Sequence, residues 1–417
     1  MILKRFFAIF LSLILTAALL SGCGSSAQED ETETSEAAEE TTAASSENSD
    51  TEVSGDLPDE VYEDVVYYLT DGLISSDDIV YTINGVEIRA DYYFYWLTYE
   101  AYLYSLSYYN SFYVYPEITQ EYSDGTSMAG YATEAAYNYS LRYALAYAQA
   151  SEAGVELSGD YLEEYETFYS DSVTDLGESL WESAVYYGTV SEDDYDDDAK
   201  AAWIEAAGEA QMLLNLFYYS TTPEGMDDLY LFTAYFGQYR DELYLDGVIS
   251  DDEIEAYIEE YDLLAARYVL VNDEDEALEC YETLSSLSGD ALDEAIAEYA
   301  ASNLDGNTTG EVCFASSAEL VDGFADMVSA IDIGEVTISD EMSGYYYIIV
   351  RDEVTRDTEI TELEYSVEVS VAEIYFEEDI DEWMDEAQIV DTGVLDEFDI
   401  YTYYENLEDL RDLIDAL

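Results

Sequence analysis

The side chains of this sequence that could do chemistry are its cysteines, tyrosines and carboxylates. The 417 residues include three cysteines and 45 tyrosines but no histidine. Cys280 and Cys313 could pair as a disulfide in an oxidising compartment, or they could be buried as small apolar side chains. A tyrosine joins a large apolar ring to a hydroxyl, so exposed tyrosines suit sequence-tolerant contact with polypeptide. The alternative is that tyrosine takes the place of leucine in cores and of lysine stems on surfaces.

The charge of the chain limits its partners. It has 99 acidic and 10 basic residues, which give a net charge of -89. This charge argues strongly against nucleic acid as a partner and disfavours direct adsorption to anionic lipid. Repulsion on this scale needs screening, so we expect non-specific cations to bind. The run from Asn272 to Glu276 lacks the glycine and the spacing of an EF-hand loop. No dedicated metal site and no cofactor are predicted.

The elements that would position reactive groups are clearest between Ala266 and Arg351. Apolar runs rich in β-branched and aromatic residues predict strands over Ala266–Val271 and over Tyr345–Val350. Between them, the patterns predict three helices, over Glu274–Leu287, Asp290–Ala301 and Ser317–Ala330. The segment Thr309–Phe314 lies between the second and third helices, and Ile333–Val336 follows the third. This order of elements predicts a small α+β domain.

Five short motifs in this stretch resemble the parvulin family of peptidyl-prolyl isomerases. They are Tyr268 to Val271, Thr309 to Cys313, Leu320 to Phe324, Gly334 to Val336 and Gly344 to Ile348. The resemblance implies a parvulin fold that catalyses cis/trans isomerisation of X-Pro bonds. The family has a histidine in the first motif and another in the last, and both positions are tyrosines here, Tyr268 and Tyr346.

The same resemblance implies which residues would form the active site. The catalytic polar groups would be Tyr268, Asn303, Ser343 and Tyr346, and the pocket for the proline ring would be Val312, Leu320 and Phe324. Turning an X-Pro bond needs no nucleophile, metal or cofactor, because its barrier of ~18 to 20 kcal/mol comes from amide resonance. A protein can lower that barrier by gripping the ring, excluding water and offering polar groups. The alternative is that the apolar residues simply fill the domain core.

The first residues have the pattern of a bacterial lipoprotein. Lys4 and Arg5 precede an apolar run that is too short for a permanent membrane span, and small residues precede Cys23. This resembles a lipobox, which implies that residues 1–22 are a signal peptide and that Cys23 is lipidated; the alternative is a plain secretory signal. Residues 23–57 are polar, acidic and free of aromatics, so we expect a disordered tether on the outer face of the cell membrane.

Residues 58–265 read as mainly helical. Two short strands flank a favourable Asn84-Gly85 hairpin turn, and Asp91 is the predicted N-cap of the aromatic helix that follows. Ser250 to Glu253 has the form of a capping box. Further helices are predicted over Thr133–Ala153, Ser158–Ser172, Ser191–Tyr219, Met226–Leu245 and Leu407–Leu417. Residues 364–386 are ambiguous, since their valines alternate as in a strand whereas Phe376 and Ile380 follow helical spacing.

Taken together, these elements resemble the PrsA and SurA foldases. The resemblance implies a helical chaperone domain over 58–265, a parvulin-like domain over 266–355, and a segment over 356–417 that completes the helical domain. It predicts an α+β protein, anchored outside the cell through Cys23, that binds newly secreted, unfolded polypeptides and isomerises their X-Pro bonds. Two alternatives are a non-catalytic peptide-binding lipoprotein with a degenerate parvulin site, and a solute-binding or surface-structural lipoprotein.

Overall fold

The computed structural model of the protein describes residues 57–113, 118, 127–191, 195–245, 247–302, 309–318, 321, 323–342 and 344–417. The backbone divides into two compact units. One contains the chain up to Tyr239 together with Trp383–Leu417, and the other is Arg240–Glu382. Helices predominate and the sheets are small and antiparallel, which confirms the predicted α+β class. The predicted signal peptide, Cys23 and most of the tether lie outside the described residues.

The first unit begins with helices and a hairpin. Its elements in chain order are α1 (Asp59–Glu63), α2 (Val65–Leu69), β1 (Ile79–Ile83), β2 (Val86–Arg89), α3 (Ala90–Phe112), α4 (Met128–Ala153), α5 (Gly159–Tyr186), α6 (Asp197–Tyr218) and α7 (Pro223–Tyr244). The β1–β2 turn has positive φ at both central residues, 48° at Asn84 and 89° at Gly85. This is the backbone that Asn-Gly favours in a two-residue hairpin, so the predicted turn is confirmed.

The first half of helix α3, residues 90–101, is aromatic on nearly all sides and is buried on all sides. Tyr92, Tyr93, Tyr95 and Tyr99 are at most 5% exposed, and Trp96 between them is equally buried. The rings of this helix meet other rings edge-on or stacked, as aromatic pairs prefer. In this helix, therefore, tyrosine serves as a core residue.

The start of α3 differs from the prediction. Arg89, not Asp91, occupies the N-cap position, and Asp91 lies fully buried in the first turn. The Arg89 guanidinium donates two hydrogen bonds to the Asp91 carboxylate, at 3.1 and 2.8 Å. A carboxylate in the first turn is also favoured by the helix dipole, so Asp91 stabilises this helix start without capping it.

Helices α5 and α6 approach each other closely at two glycines. A Cβ atom on Gly177 would overlap the backbone carbonyl of Ile204, and one on Gly208 would overlap that of Val173. Each helix thus offers a glycine to the backbone of the other, and the absence of side chains at these two positions sets the distance between the helices.

The second unit is built on a four-stranded sheet. Its elements are α8 (Asp251–Glu260), β3 (Leu263–Val271), α9 (Glu274–Leu284), α10 (Asp290–Ser302), β4 (Thr309–Ala315), α11 (Phe324–Ser329), β5 (Val336–Ile338), β6 (Tyr346–Asp352), β7 (Glu359–Ile360), β8 (Tyr365–Ser366) and α12 (Val367–Glu386). The sheet is antiparallel with the strand order β4-β3-β6-β5. Helices α9 and α10 pack on one face with Val269 and Ile348, and α11 packs on the other.

Three local outcomes in this unit bear on the sequence patterns. The capping box is confirmed, with Ser250 and Glu253 each bonding the backbone N–H of the other. The ambiguous stretch is the helix α12, in which Phe376 and Ile380 are fully buried. Within the helix predicted over Ser317–Ala330, the described residues form only α11, which begins directly after Gly323, an N-cap residue with a φ of 83°.

The chain then supplies two more elements to the first unit, β9 (Ile389–Asp391) and α13 (Ile400–Asp415). Strand β9 pairs with β1 and completes a sheet of order β2-β1-β9. Three buried hydroxyls join α13 to the rest: Thr98 and Ser220 lie 2.6 and 2.7 Å from the Tyr403 hydroxyl oxygen, and 3.0 Å from each other. Leu407 and Leu410 are fully buried in the same core.

Candidate functional site

The sheet face that carries α11 gathers three aromatic rings. Tyr268 projects from β3, Tyr347 from β6, and Phe324 from the first position of α11. Their ring centroids lie 5.8 Å apart for Tyr268 and Phe324, 5.9 Å for Tyr268 and Tyr347, and 5.7 Å for Phe324 and Tyr347. Two phenols and one apolar ring thus form a mutual cluster, which we call the aromatic triad.

A glycine on the neighbouring strand makes room for the Tyr268 ring. Gly310 is the cross-strand partner of Tyr268, and a Cβ atom built on it would overlap the ring and hydroxyl of Tyr268. The phenol therefore lies flat across β4 at this point. Gly310 thus has a positional role that the sequence pattern did not reveal.

The second phenol of the triad is Tyr347, not the predicted Tyr346. Neighbouring residues of a strand project to opposite faces. Tyr346 accordingly packs on the other face of the sheet, in the core under α9 and α10, whereas Tyr347 packs with Phe324. The run Tyr345-Tyr346-Tyr347 offered three candidates for one position, and a shift of one residue exchanges the faces.

Backbone hydrogen bonds hold Tyr347 in place. Its N–H donates to the buried Ser339 hydroxyl at 2.8 Å, and its carbonyl accepts from the Ser339 N–H at 2.9 Å. Burial, with smaller contributions from Tyr268 and Tyr345, raises the pKa of the Tyr347 phenol. At neutral pH this phenol is protonated and can donate a hydrogen bond.

The predicted proline pocket is only partly within the described residues. Val312 shares the face of the triad and is half-buried, as is Tyr268. Phe324 is 3% exposed and also contacts Phe314, at 5.9 Å between ring centroids. Leu320, Asn303 and Ser343 lie outside the described residues. Of the predicted site residues that the structure describes on this face, Tyr268 and Val312 are half-buried and offer surface to a ligand, whereas Phe324 is buried, as is Tyr347 beside it.

Several other groups were candidates for chemistry. Cys280 and Cys313 are both free and buried, and burial raises the pKa of each thiol to about 11, so they act as apolar side chains. Among the described residues, no group of three or more cysteine or carboxylate side chains is placed to hold a metal ion. Within the same part of the chain, none of the helices combines the length and the apolar character that crossing a membrane requires.

One carboxyl in the first unit lies in an unusual environment. Glu100 on α3 is only 5% exposed, and the Tyr131 hydroxyl of α4 donates to its carboxylate at 3.4 Å. Burial raises the pKa of Glu100 to about 7, and the hydrogen bond from Tyr131 opposes this shift only in part. Glu100 thus titrates near neutral pH.

Comparison with known proteins gives likenesses to foldases. No family model matches the chain, and no curated protein matches it. Among solved structures, the chain is similar to PrsA from Bacillus subtilis, with 13% identity over 71% of this chain and 92% of that chain and a TM-score of 0.27. It is similar to the foldase protein PrsA from Lactococcus lactis, with 11% identity, coverage of 77% and 99%, and a TM-score of 0.26.

A further likeness is to a SurA-like chaperone structure from Campylobacter jejuni, reported for PEB4 and Cj1289. The identity is 17%, the coverage is 51% of this chain and 91% of that chain, and the TM-score is 0.18.

Proposed function

We propose that this protein is an extracytoplasmic foldase that binds unfolded, newly secreted polypeptides and isomerises their X-Pro bonds on the aromatic triad. The observation that carries the proposal is the mutual packing of Tyr268, Tyr347 and Phe324, with centroids within 5.9 Å, on one face of the antiparallel sheet. The parvulin-like order of the sequence motifs supports the same assignment.

Isomerisation of an X-Pro bond requires only that the site contacts the proline ring and forms hydrogen bonds with the peptide. The Tyr268 ring, held across Gly310, offers an apolar face to a proline ring, and half-buried Val312 extends that surface. Phenol hydroxyls can hydrogen-bond the carbonyl as it rotates out of conjugation. No proton is transferred in the reaction, so a tyrosine can serve where imidazole would otherwise stand. Phe324 and Tyr347 act as positioning residues because they fix the Tyr268 ring from behind.

An exchange assay on a proline-containing tetrapeptide tests this proposal. Uncatalysed isomerisation takes ~10 to 100 s, so NMR exchange spectroscopy detects a modest acceleration by the purified protein. Tyr268→Phe removes one hydroxyl and keeps the ring, and we expect it to lower the acceleration about tenfold, a loss of ~1.4 kcal/mol. Tyr346→Phe, on the other face of the sheet, is the matched control and should leave the rate unchanged. A wild-type rate equal to that in solvent would refute the isomerase.

A second candidate is a non-catalytic holder of unfolded chains. The burial of Phe324 and Tyr347 favours it, because a ring that is 3% exposed cannot itself line an open pocket. The double variant Tyr268→Phe, Tyr347→Phe keeps the packing and separates the two candidates. Suppression of client aggregation by wild type and variant alike, without acceleration by either, would establish the holder.

We also propose that the chain is held at the membrane by lipid on Cys23, after removal of residues 1–22, with residues 23–57 as a tether. The domain limits at 58–265, 266–355 and 356–417 are a separate proposal from the sequence motifs, whereas the compact units of the backbone change over after Tyr239 and after Glu382. Cys23→Ala in the full-length precursor should move the protein from the membrane fraction to the soluble fraction. Unchanged membrane association would refute the lipid anchor and would leave the proposed activity untouched.

A further inference from the structure

The second unit has a groove at the end of its sheet, away from the triad. Its volume is about 580 Å³, within the ~300 to 1,000 Å³ of typical ligand sites. One wall is helix α8, the opposite wall is residues 351–356 at the end of β6, and Ile333 forms a third side. The start of β3, from Leu263 to Ala265, forms the floor. We call this feature the α8 groove.

Helix α8 presents two stripes to the groove. Asp251, Glu255 and Glu259 follow one another at four-residue spacing and form an acidic stripe. Ile254 and Ile258 lie beside them and form an apolar stripe. The groove therefore combines an apolar surface with a row of carboxylates along its rim.

The apolar surface of the groove extends to its other walls. Ile333 is 59% exposed, and Ile258 and Val354 are half-buried. Ile333 is one of several exposed large apolar side chains of the chain, and together with Ile258 and Val354 it gives the groove an apolar surface that a ligand can contact.

The two arginines of the groove do not cancel its negative charge. Arg356 is bound by Asp251 and by Glu368, each at 2.6 Å. Arg351 donates to the backbone carbonyl of Ile331 at 2.8 Å, at the end of the segment that follows α11. The charge of Arg356 is thus matched by two carboxylates, whereas Arg351, bound by a neutral carbonyl, keeps its positive charge and offsets one of the carboxylates of the groove.

Three carboxylates remain on the rim. Glu255, Glu259 and Glu353 are exposed, and among the described residues no lysine or arginine forms an ion pair with them. Asp352, also at the groove, is bound by Arg267 through two hydrogen bonds of 2.8 Å. The groove accordingly presents unpaired negative charge on both of its long walls.

We propose that the α8 groove binds an extended polypeptide segment in which lysine or arginine alternates with apolar residues. Charge complementarity selects this occupant. A second copy of the chain has the same net charge of -89, and residues 23–57 contain no lysine or arginine, so both are repelled. This inference rests on the proposed function in taking polypeptide as the ligand, and it adds the class of client: cationic, amphipathic segments.

The recognition is physically simple. In an extended chain, alternate side chains point to opposite sides, so every second residue can contact Ile258, Ile333 and Val354 while its neighbours reach the carboxylates of the rim. Screening limits this attraction to ~8 Å at physiological ionic strength, so it acts on groups within the groove and not on distant charges.

Binding of three matched peptides tests the proposal. Their sequences alternate leucine with lysine, glutamine or glutamate, and affinity is measured by fluorescence anisotropy at 150 mM salt. We expect the lysine peptide to bind most tightly. The variant Glu255→Gln, Glu259→Gln, Glu353→Gln should lose about tenfold in affinity for it, since exposed ion pairs contribute ~0.2 to 1 kcal/mol each. The affinity of this triple variant for the glutamine peptide should equal that of the wild-type protein.

The control variant removes the same charge elsewhere in the same unit. Glu279, Glu282 and Glu298 are exposed on α9 and α10 and do not line the groove. Their joint substitution by glutamine should change the lysine-peptide affinity less than twofold. Equal losses in the two triple variants would overturn the proposal, because net charge alone would then explain the binding.

A single apolar substitution completes the test. Ile333→Ser alters an exposed side chain, so the fold is retained, and it should weaken the lysine–leucine peptide several-fold while leaving a lysine–serine peptide unaffected. If it weakens neither peptide, the apolar part of the inference fails. The proposed function is tested separately, by suppression of the aggregation of a neutral client. If that suppression persists while the lysine peptide binds no more tightly than the glutamine and glutamate peptides, the foldase proposal stands and this inference fails.

Discussion

Replacing Glu100 by glutamine should stabilise the first unit above neutral pH and leave it unchanged in mild acid. The folded-state pKa of Glu100 is raised by burial to about 7, against an ordinary value of 4.5. Between these two pH values the folded chain retains a proton that the unfolded chain has lost, so the stability contributed by this group falls as the pH rises. At about 1.4 kcal/mol per pKa unit, the loss is complete above the folded pKa and amounts to about 3 kcal/mol.

Urea unfolding at constant ionic strength, followed by tryptophan fluorescence, measures this effect. The quantity of interest is the difference in unfolding free energy between Glu100→Gln and wild type, because the net charge of -89 makes both proteins depend on pH. We expect a difference near zero at pH 4.5 and a gain of about 3 kcal/mol at pH 8.

The matched control is Glu152→Gln, since Glu152 is an exposed carboxylate on α4. It should show no pH-dependent difference from wild type of comparable size. A Glu100→Gln difference that is the same at both pH values, or a variant less stable than wild type at pH 8, would refute the claim that burial controls the titration of Glu100.

Three further substitutions test the packing. Gly208→Ala, at the close approach of α5 and α6, should lower the unfolding free energy by ~1 to 3 kcal/mol, measured by urea denaturation, because the helices must separate. Gly310→Ala should displace the Tyr268 ring, seen as a changed near-ultraviolet circular dichroism spectrum, and reduce any isomerase rate with it. Arg240→Met removes a buried guanidinium whose partner Glu373, at 2.6 Å, is itself 35% exposed, and should cost ~1 to 3 kcal/mol by thermal unfolding.

The sequence was sufficient to predict local structure where a particular residue type is required by a particular backbone conformation or by an unpaired backbone N–H group. The Asn84-Gly85 turn requires positive φ at both positions, and Ser250 with Glu253 satisfies two helix-end N–H groups reciprocally. Strands β3 and β6 were equally readable, because their apolar runs are bounded by turn residues, whereas β5 covers Val336–Ile338 and shares only Val336 with the segment predicted over Ile333–Val336. The α+β class follows from the order of these elements.

Positions decided by tertiary packing were not readable in the same way. Tyr345, Tyr346 and Tyr347 have the same side chain, so only the register of β6 against β3 determines which of them meets Tyr268. Strand β9 is three residues long and is defined by its pairing with β1, more than 300 residues earlier in the chain. Asp91 resembles an N-cap in sequence, but the ion pair with Arg89 draws it into the first turn.

The return of the chain to its first unit has a consequence for the order of folding. Residues 240–382 form a continuous unit, whereas the core of the first unit includes Tyr403, Leu407 and Leu410 of α13. During synthesis, the second unit is complete before α13 has emerged. The Tyr403 hydroxyl cannot form its hydrogen bonds with Thr98 and Ser220 until α13 is present. Until then, the part of helix α3 that α13 covers stays exposed to solvent. A protein that we propose binds unfolded chains is thus itself incompletely folded until α13 is available.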